Sequence, residues 1–395
     1  MQTNQQPHSS RPKLLVLESL SRIGGGQRVL LDLLPALQAH FEVLVGLPGP
    51  GPLETELREM SVPTAHLPVK LYGLGRKSLA NALDFVTALP RLSWAVRRLI
   101  QRHGIELVFA NGGQALAWGT LGAVWAGRPA VWYSHVNFTD RKTLCLLRCL
   151  ARRKTVARIA GTSPQAIEQF GLPGKSVVIP AGVDTAVFRP APAARAAIRR
   201  ELGIADDAPV VGNFGDLVPL KRQDLFLAAM LRVRRELPGA QFILVGAARD
   251  NVESARFHEA LKPAALELGA RILPWRRDLA VWYNALDLLV ICSSGFETGP
   301  LVLYQALACG IPVVSAPIGR APELLGDGAP GMLVSEVNAE TLATAALALL
   351  RDPARMGQMR VAARARAEQT LELGKTQQRI VALLCDGLDC AGRRA

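Results

Sequence analysis

Short apolar runs alternate with helical segments along most of this chain. In the first half the runs are KLLVLESL (13–20), FEVLVGL (41–47), IELVFAN (105–111), AVWYSHV (130–136), ARIAGTS (157–163) and SVVIPAG (176–182). Each is nearly continuous in Val, Ile, Leu and aromatic residues, as strands covered on both faces require. A helical run over 28–38 follows the first of them, after the glycine stretch SRIGGGQ. A second series contains VVGNFGDL (210–217), QFILVGA (241–247), ARILPW (270–275), LDLLVICSS (286–294), IPVVSAP (311–317) and GMLVSEV (331–337). Strands alternating with helices predict β-α-β units and parallel sheets. The chain is thus expected to be α/β, with two successive doubly wound domains and a cleft between them. The expected division is 1–190, a Pro- and Ala-rich linker over 191–208, a second domain over 209–370, and a helical tail over 371–395.

Composition narrows the class. The 395 residues are 49% hydrophobic and 20% charged, which excludes a mainly disordered chain and allows two or three cored domains. The polar start, MQTNQQPHSSRPK, is not a signal peptide, and the apolar run after it breaks at Glu18. The longest uncharged stretch, 301–318, has the length of a membrane span. Gln305, Gly310, Pro312 and Pro317 interrupt it, so a buried helix followed by a buried strand is expected instead. The six cysteines form no CxxC pair; most lie in apolar runs, which points to a reducing, cytoplasmic compartment.

Charge is uneven. The net charge is +13, and residues 1–190 hold 22 Lys+Arg against 11 Asp+Glu. A one-sided field of this kind attracts an anionic partner. The segment 140–158 carries Arg141, Lys142, Arg148, Arg152, Arg153, Lys154 and Arg158, with Leu144, Leu147, Leu150 and Ala151 at helical spacing. The segment 91–103 is similar, with Trp94 and Leu99 between basic residues. Such helices suit an anionic membrane surface, and equally suit a core-packed helix with a solvated basic face. No nucleic-acid recognition motif accompanies the charge, so nucleic acid is not expected as a partner.

Candidate chemistry concentrates in SSGFETGPLVLYQALACGIPVVSAPIGRAPE (293–323). Pro300 suits the first position of a helix, Gly299 its N-cap, and Gly310 its C-terminal cap. A helix start at the carboxyl end of a strand offers directed N–H donors and a favourable dipole to an anion such as a nucleotide diphosphate. An ordinary strand-turn-helix without ligand has the same features. Glu297 precedes the helix, and a carboxylate can accept hydrogen bonds from vicinal sugar hydroxyls. Gln305 lies in an otherwise apolar helix, where its amide needs a partner.

This stretch resembles the signature of glycosyltransferase family 4, whose motif is Glu, seven residues, Glu, an alanine-rich helix and a G-x-P-V-V strand. IPAGVDTAVFRP (179–190), GDLVPLKRQDLFLAA (215–229), GRAPELLGDGAPGMLV (319–334) and GGGQ (24–27) resemble further family segments in the same order. The resemblance spans roughly 13–384. It implies the GT-B fold, with two Rossmann-like domains facing across a cleft, and retaining transfer of a sugar from a nucleotide-diphosphate sugar. It implies that Glu297 binds donor-sugar hydroxyls, that Lys221 neutralises the phosphates, and that Thr298, Gly299 and Leu301 hold the diphosphate through backbone. Gln305 would contact the ribose, Gly25 and Gly26 would let backbone approach the phosphate, and His135 would lie near the reacting sugar. The departing phosphate would help to deprotonate the acceptor, so no protein base is obligatory. Two positions depart from the family pattern: Gln305 stands where a Glu is usual, and Asp216 where an Arg is usual. Lys221 and Arg222 are then expected to supply the local positive charge. No Asp-x-Asp pair or ligand cluster calls for a metal, and no cofactor is expected.

The expected function is transfer to a glycan or lipid-linked acceptor in cell-surface assembly, by a cytoplasmic protein peripheral to the inner membrane surface. The alternatives are an epimerase or phosphorylase on the same fold, and a weakly catalytic sugar-nucleotide-binding or scaffold protein.

Overall fold

A computed structural model describes residues 11–70, 79–294 and 297–392. Residues 1–10, which hold most of the polar start, and 295–296, inside the glycine-rich loop, lie outside the described residues. The chain divides into two compact units, one of Met1–Pro180 and Lys375–Ala395, the other of Ala181–Gly374.

Unit 1 runs β1 (Lys13–Leu17), α1 (Gly25–His40), β2 (Glu42–Leu47), α2 (Pro52–Glu59), β3 (Thr64–His66), α3 (Leu79–His103), β4 (Leu107–Asn111), α4 (Ala115–Ala126), β5 (Ala130–Ser134), α5 (Arg141–Ala151), β6 (Val156–Gly161), α6 (Pro164–Glu168) and β7 (Ser176–Val178). Its seven strands are ordered β3-β2-β1-β4-β5-β6-β7, and the described pairings are parallel. Unit 2 runs α7 (Pro192–Glu201), β8 (Val210–Phe214), α8 (Gln223–Glu236), β9 (Gln241–Val245), α9 (Val252–Leu268), β10 (Arg271–Leu273), α10 (Leu279–Tyr283), β11 (Leu288–Ile291), α11 (Leu301–Ala308), β12 (Val313–Ser315), α12 (Ala321–Leu325), β13 (Gly331–Leu333), α13 (Ala339–Leu350) and α14 (Pro353–Thr370). Its six strands are ordered β10-β9-β8-β11-β12-β13, again in parallel. In each sheet the chain order reverses once, at β1/β4 and at β8/β11. Helices leave opposite faces there, opening a crevice beyond the carboxyl ends of the strands.

The apolar runs became strands because both of their faces are covered. Leu14, Leu15, Val16 and Leu17 are fully buried, as are Leu288, Leu289 and Val290. Trp118, Trp132 and Phe170 fill the core of unit 1, where Trp132 Nε1 donates to Thr120 Oγ1 at 2.8 Å. Phe226, Met230, Phe242 and Leu342 fill that of unit 2. Strand β3 has no apolar run to announce it: its three residues are half-buried or exposed at the sheet edge. Helix α1 begins at Gly25, earlier than the run over 28–38 suggests, because Gln27 Oε1 accepts from the Gly24 N–H at 3.1 Å and completes the first turn. Pro300 caps α11 rather than starting it, with ψ 116°. The tail breaks after α14, and α15 (Leu373–Gly392) packs within unit 1 from Lys375 onward. There Arg158 Nε donates to Asp386 at 2.5 Å, and Gln377 Nε2 donates to the Asp32 carbonyl at 2.7 Å. Of the cysteines, Cys292 and Cys309 are buried and Cys390 is half-buried; Cys145, Cys149 and Cys385 are exposed although they lie in or near apolar runs.

The segment 191–208 carries α7 and is bound into unit 2 by a cluster of charges. Asp287, at the foot of β11, accepts from Arg195 at 2.7 Å, Arg199 at 2.6 Å, Arg360 at 2.6 Å and the Val210 N–H at 2.9 Å. Burial alone would raise the Asp287 carboxyl, but these cations and the N–H outweigh it and hold it below the usual range. Removing the acid would leave three guanidiniums without their counter-charge, Arg199 among them with only 1% of its side chain exposed. Asp287→Ala should therefore cost roughly 3–5 kcal/mol. The check is the thermal or denaturant midpoint of the purified variant; a midpoint equal to that of the parent would contradict it.

Candidate functional site

In unit 2 the polar residues gather at the β8/β11 reversal. After β8 the chain passes Gly215 and Asp216 into a single 3-10 turn, Pro219–Lys221, and then into α8. After β11 it passes Ser293 and Ser294 into the loop before α11. The Ser294 N–H donates to the Leu220 carbonyl at 3.0 Å, which ties the loop to the turn. Across this join Lys221 Nζ and Glu297 Oε1 form an ion pair, each side chain 14% exposed. The second oxygen, Glu297 Oε2, is buried and has no hydrogen-bond partner among the described residues. A buried carboxylate oxygen left without a donor is costly, and a ligand hydroxyl would remove that cost. Thr298 is buried beside it, and Gly299 and Leu301 are half-buried.

Backbone shape holds this loop. Gly319 lies at φ +50° in the turn after β12, and a Cβ there would come within 2.9 Å of Thr298 and Gly299 backbone atoms. Only glycine permits that approach. Gln305 Oε1 accepts from the buried Tyr283 hydroxyl at 3.1 Å, so its amide oxygen is held from inside the unit. Asp216 is held too: Arg249 Nε, just beyond β9, donates to Asp216 Oδ2 at 2.7 Å. Arg222 pairs with Asp224 at 3.1 Å and lies in the left-handed region at φ +53° as the N-cap of α8.

In unit 1 the polar residues gather at the β1/β4 reversal. Glu18, just beyond β1, is fully buried. Gln27 Nε2 donates to its Oε2 at 3.0 Å, and Asn111 Nδ2 donates to its Oε1. His135 Nε2 lies 2.7 Å from Asn111 Oδ1. Gly112, at φ +67°, runs close under the ring, and a Cβ there would meet His135 Cδ2 at 3.0 Å. Gly26 backs onto the same ring atom, whereas Gly25 faces open space. Burial pushes the Glu18 carboxyl up to about 7 against the two amide donors, and pushes His135 down to about 4.

Two family models match the chain. One described as Glycosyltransferase Family 4 covers residues 23–187, and one described as glycosyl transferases group 1 covers 208–352. A GDP-mannose-dependent alpha-(1-6)-phosphatidylinositol monomannoside mannosyltransferase of Mycolicibacterium smegmatis is 31% identical over 297 residues, 70% of this chain and 75% of the relative. The chain belongs to glycosyltransferase family 4. A D-inositol 3-phosphate glycosyltransferase of Segniliparus rotundus is 36% identical over 193 residues, 47% of this chain and 42% of the relative. The structure of Anabaena HepE in complex with UDP-glucose superposes with a TM-score of 0.81 at 25% identity, covering 94% of this chain and 99% of that one. The two sheets are those of a GT-B glycosyltransferase.

In this glycosyltransferase, Glu297 and Lys221 meet as a pair. Thr298, Gly299 and Leu301 line the same loop and helix start, and Gln305 lies on that helix. Gly26 and His135 come together in unit 1, with Gly25 beside them facing open space. Arg222 is engaged by Asp224 on the outer side of the turn, and it is Arg249 that brings a cation to Asp216. The residues the sequence reading missed are Glu18, Gln27 and Asn111 around His135, with Arg249 and Tyr283 in unit 2. Their signal was visible only in part: Glu18 and Asn111 are polar residues closing apolar runs at the carboxyl ends of central strands. Among the described residues no group of three His, Cys, Asp or Glu could hold a metal ion.

The buried acid and imidazole make opposite contributions to stability. An unfolded glutamate ionises near 4.5 and the buried Glu18 near 7, so the folded state loses stability as pH rises between those values. An unfolded histidine gains its proton near 6.5 and His135 only near 4, so stability is present above 6.5 and lost as pH falls toward 4. The stability advantage of Glu18→Gln over the parent should grow by roughly 3 kcal/mol from pH 4.5 to 7, whereas that of His135→Asn should grow as pH falls. Urea unfolding across that range is the check, and differences independent of pH would contradict it.

Proposed function

We propose that this glycosyltransferase takes a hexose from a nucleoside-diphosphate sugar, with retention, and passes it to a lipid-linked or anionic glycan acceptor. The observation that carries the reading is the Lys221–Glu297 pair with its orphaned Glu297 oxygen. Glu297 accepts from the donor-sugar hydroxyls. Lys221 turns to the diphosphate, whose remaining charge is met by the backbone N–H groups that open α11. Arg249, held by Asp216, adds a second cation beyond β9. Gln305, with its oxygen taken by Tyr283, offers its amide N–H to the ribose. At the reacting carbon the bond to the phosphate oxygen breaks and a bond to the acceptor oxygen forms on the same face. The acceptor proton leaves with the nucleoside diphosphate. His135, neutral in the working range because burial keeps its pKa low, assists by hydrogen bonding, and Gly25, which faces open space, leaves room for the ligand.

The relatives' names support a donor of the GDP-mannose class and an acceptor bearing an inositol phosphate, and the HepE complex supports UDP-glucose binding on this fold. A phosphorylated lipid acceptor fits the basic first half. No described helix is long and apolar enough to cross a membrane. The apolar stripe of α5 is packed inside unit 1 at Leu147, Leu150 and Ala151, so the helix does not offer it to lipid. Its basic side faces outward. Arg152, Arg153 and Lys154 border a shallow recess of about 480 Å³. Trp94 on α3 is 48% exposed with Arg98 stacked 4.3 Å over its ring, and Trp125 on α4 is 44% exposed. We read this as the face that meets an anionic membrane surface.

Glu297→Ala should lower transfer at least a thousandfold without changing the melting temperature by more than a few degrees. Lys221→Ala should weaken nucleoside-diphosphate binding by the roughly 1.5–3 kcal/mol of a charge-assisted contact. Radiolabelled-donor transfer and calorimetry measure these, and near-normal turnover of Glu297→Ala would sink the donor-site assignment. Vesicles rich in acidic phospholipid should bind the protein at low salt. Replacing both Arg152 and Arg153 by Glu should weaken that binding by about 1 kcal/mol per cation removed, or more. Binding unaffected by salt and by these changes would remove the membrane face.

A further inference from the structure

The buried chain of hydrogen bonds behind His135 has a direction, and two backbone groups of the glycine loop set it. The Gly24 N–H can only donate, so the Gln27 atom 3.1 Å away is its amide oxygen. The Gln27 nitrogen must then face Glu18, whose Oε2 accepts at 3.0 Å. At the other end, the Gly26 carbonyl can only accept, so the Asn111 atom 3.4 Å from it is the amide nitrogen. That nitrogen also donates to Glu18 Oε1. The Asn111 oxygen is therefore turned to His135 and needs a donor there, 2.7 Å away.

We infer that Glu18 and Asn111 are positioning residues which, anchored on the backbone of Gly24 and Gly26, hold His135 as the tautomer protonated at Nε2 and make Nδ1 the ring's acceptor. The carboxylate is essential to this polarity because it accepts from both amides at once. Its burial supports the same picture: Glu18 is 0% exposed and Asn111 2%, so their hydrogen bonds form away from solvent. Gly112 and Tyr133, whose ring lies 4.3 Å from the imidazole, restrict rotation of the ring that would undo the arrangement. A buried acid with no cation beside it is expensive to keep. Here it fixes which nitrogen of a half-buried histidine carries the proton, and it couples that choice to the loop that begins α1.

Replacement of Glu18 by glutamine makes a sharp test. Gln27 still presents its nitrogen, so the new amide must turn its oxygen to Gln27 and its nitrogen to Asn111. Two nitrogens would then face each other; the long 3.4 Å contact with the Gly26 carbonyl is too weak to hold Asn111 against that, so Asn111 flips and offers its nitrogen to His135. The imidazole can accept only with Nε2 deprotonated, so the proton moves to Nδ1. The measurement is long-range proton–nitrogen correlation on full-length protein labelled at histidine nitrogen. It is made well above pH 7, where Glu18 is ionised, and the His135 signals are assigned by their loss in His135→Gln. The parent should show a pyrrole-type Nε2 and a pyridine-type Nδ1, and Glu18→Gln should show the reverse. Asn111→Ala should show a mixture of the two. A pyridine-type Nε2 in the parent, or an unchanged tautomer in a folded Glu18→Gln, overturns the inference. The link to turnover rests on the proposed role of His135. If that role holds, Glu18→Gln should lower kcat at least tenfold with the donor KM within about twofold. Should His135→Gln itself transfer normally, that role fails while the tautomer result stands on its own.

Discussion

The proposed donor site depends on one ion pair, Lys221 with Glu297, formed where the loops after β8 and β11 meet. Each satisfies the other, and among the described residues the arrangement leaves one carboxylate oxygen without a donor. A ligand that brings an anion for the lysine and hydroxyls for the carboxylate replaces the pair's contacts in kind and adds the missing one. That is the chemistry of a sugar diphosphate. The close packing of Gly319 under Thr298 and Gly299, and the bond from Ser294 to Leu220, keep the two loops in the register that the pair requires.

The two units repeat one solution to the same constraint. A doubly wound parallel sheet buries its strands completely, so polar residues can be placed only at strand ends, and the crevice lies where the strand order reverses. Unit 2 uses that place for an ion pair with an unmet acceptor. Unit 1 uses it for a closed chain from the glycine loop through Gln27, Glu18 and Asn111 to His135. The first, in the function proposed here, exchanges partners with a ligand. The second is saturated and serves to fix an orientation.

The architecture was legible in the sequence because full burial writes itself as unbroken Val, Ile and Leu runs. Strand β3 escaped because an exposed edge strand of three residues carries no such mark. The proposed donor site was legible for a different reason: Glu297, the glycine-proline turn and α11 are contiguous, so one stretch of sequence holds most of it. Arg249 and Tyr283 were not legible, since each reaches its partner from another segment of the chain, Arg249 from the loop after β9 and Tyr283 from α10. Asp216 looked like a repulsive acid, and only the fold shows it clasped by Arg249. The basic helix α5 showed the converse. Its amphipathic spacing was real, but its apolar side serves the core of unit 1 rather than lipid.

The most direct test of the central claim is a crystal structure of the protein with a bound nucleoside-diphosphate hexose. The account predicts that the Lys221 ammonium leaves Glu297 for the phosphates, and that both Glu297 oxygens accept from sugar hydroxyls. It also predicts a diphosphate at the backbone N–H groups that open α11. An occupied site in which Lys221 and Glu297 remain paired, with the sugar held elsewhere, would contradict it.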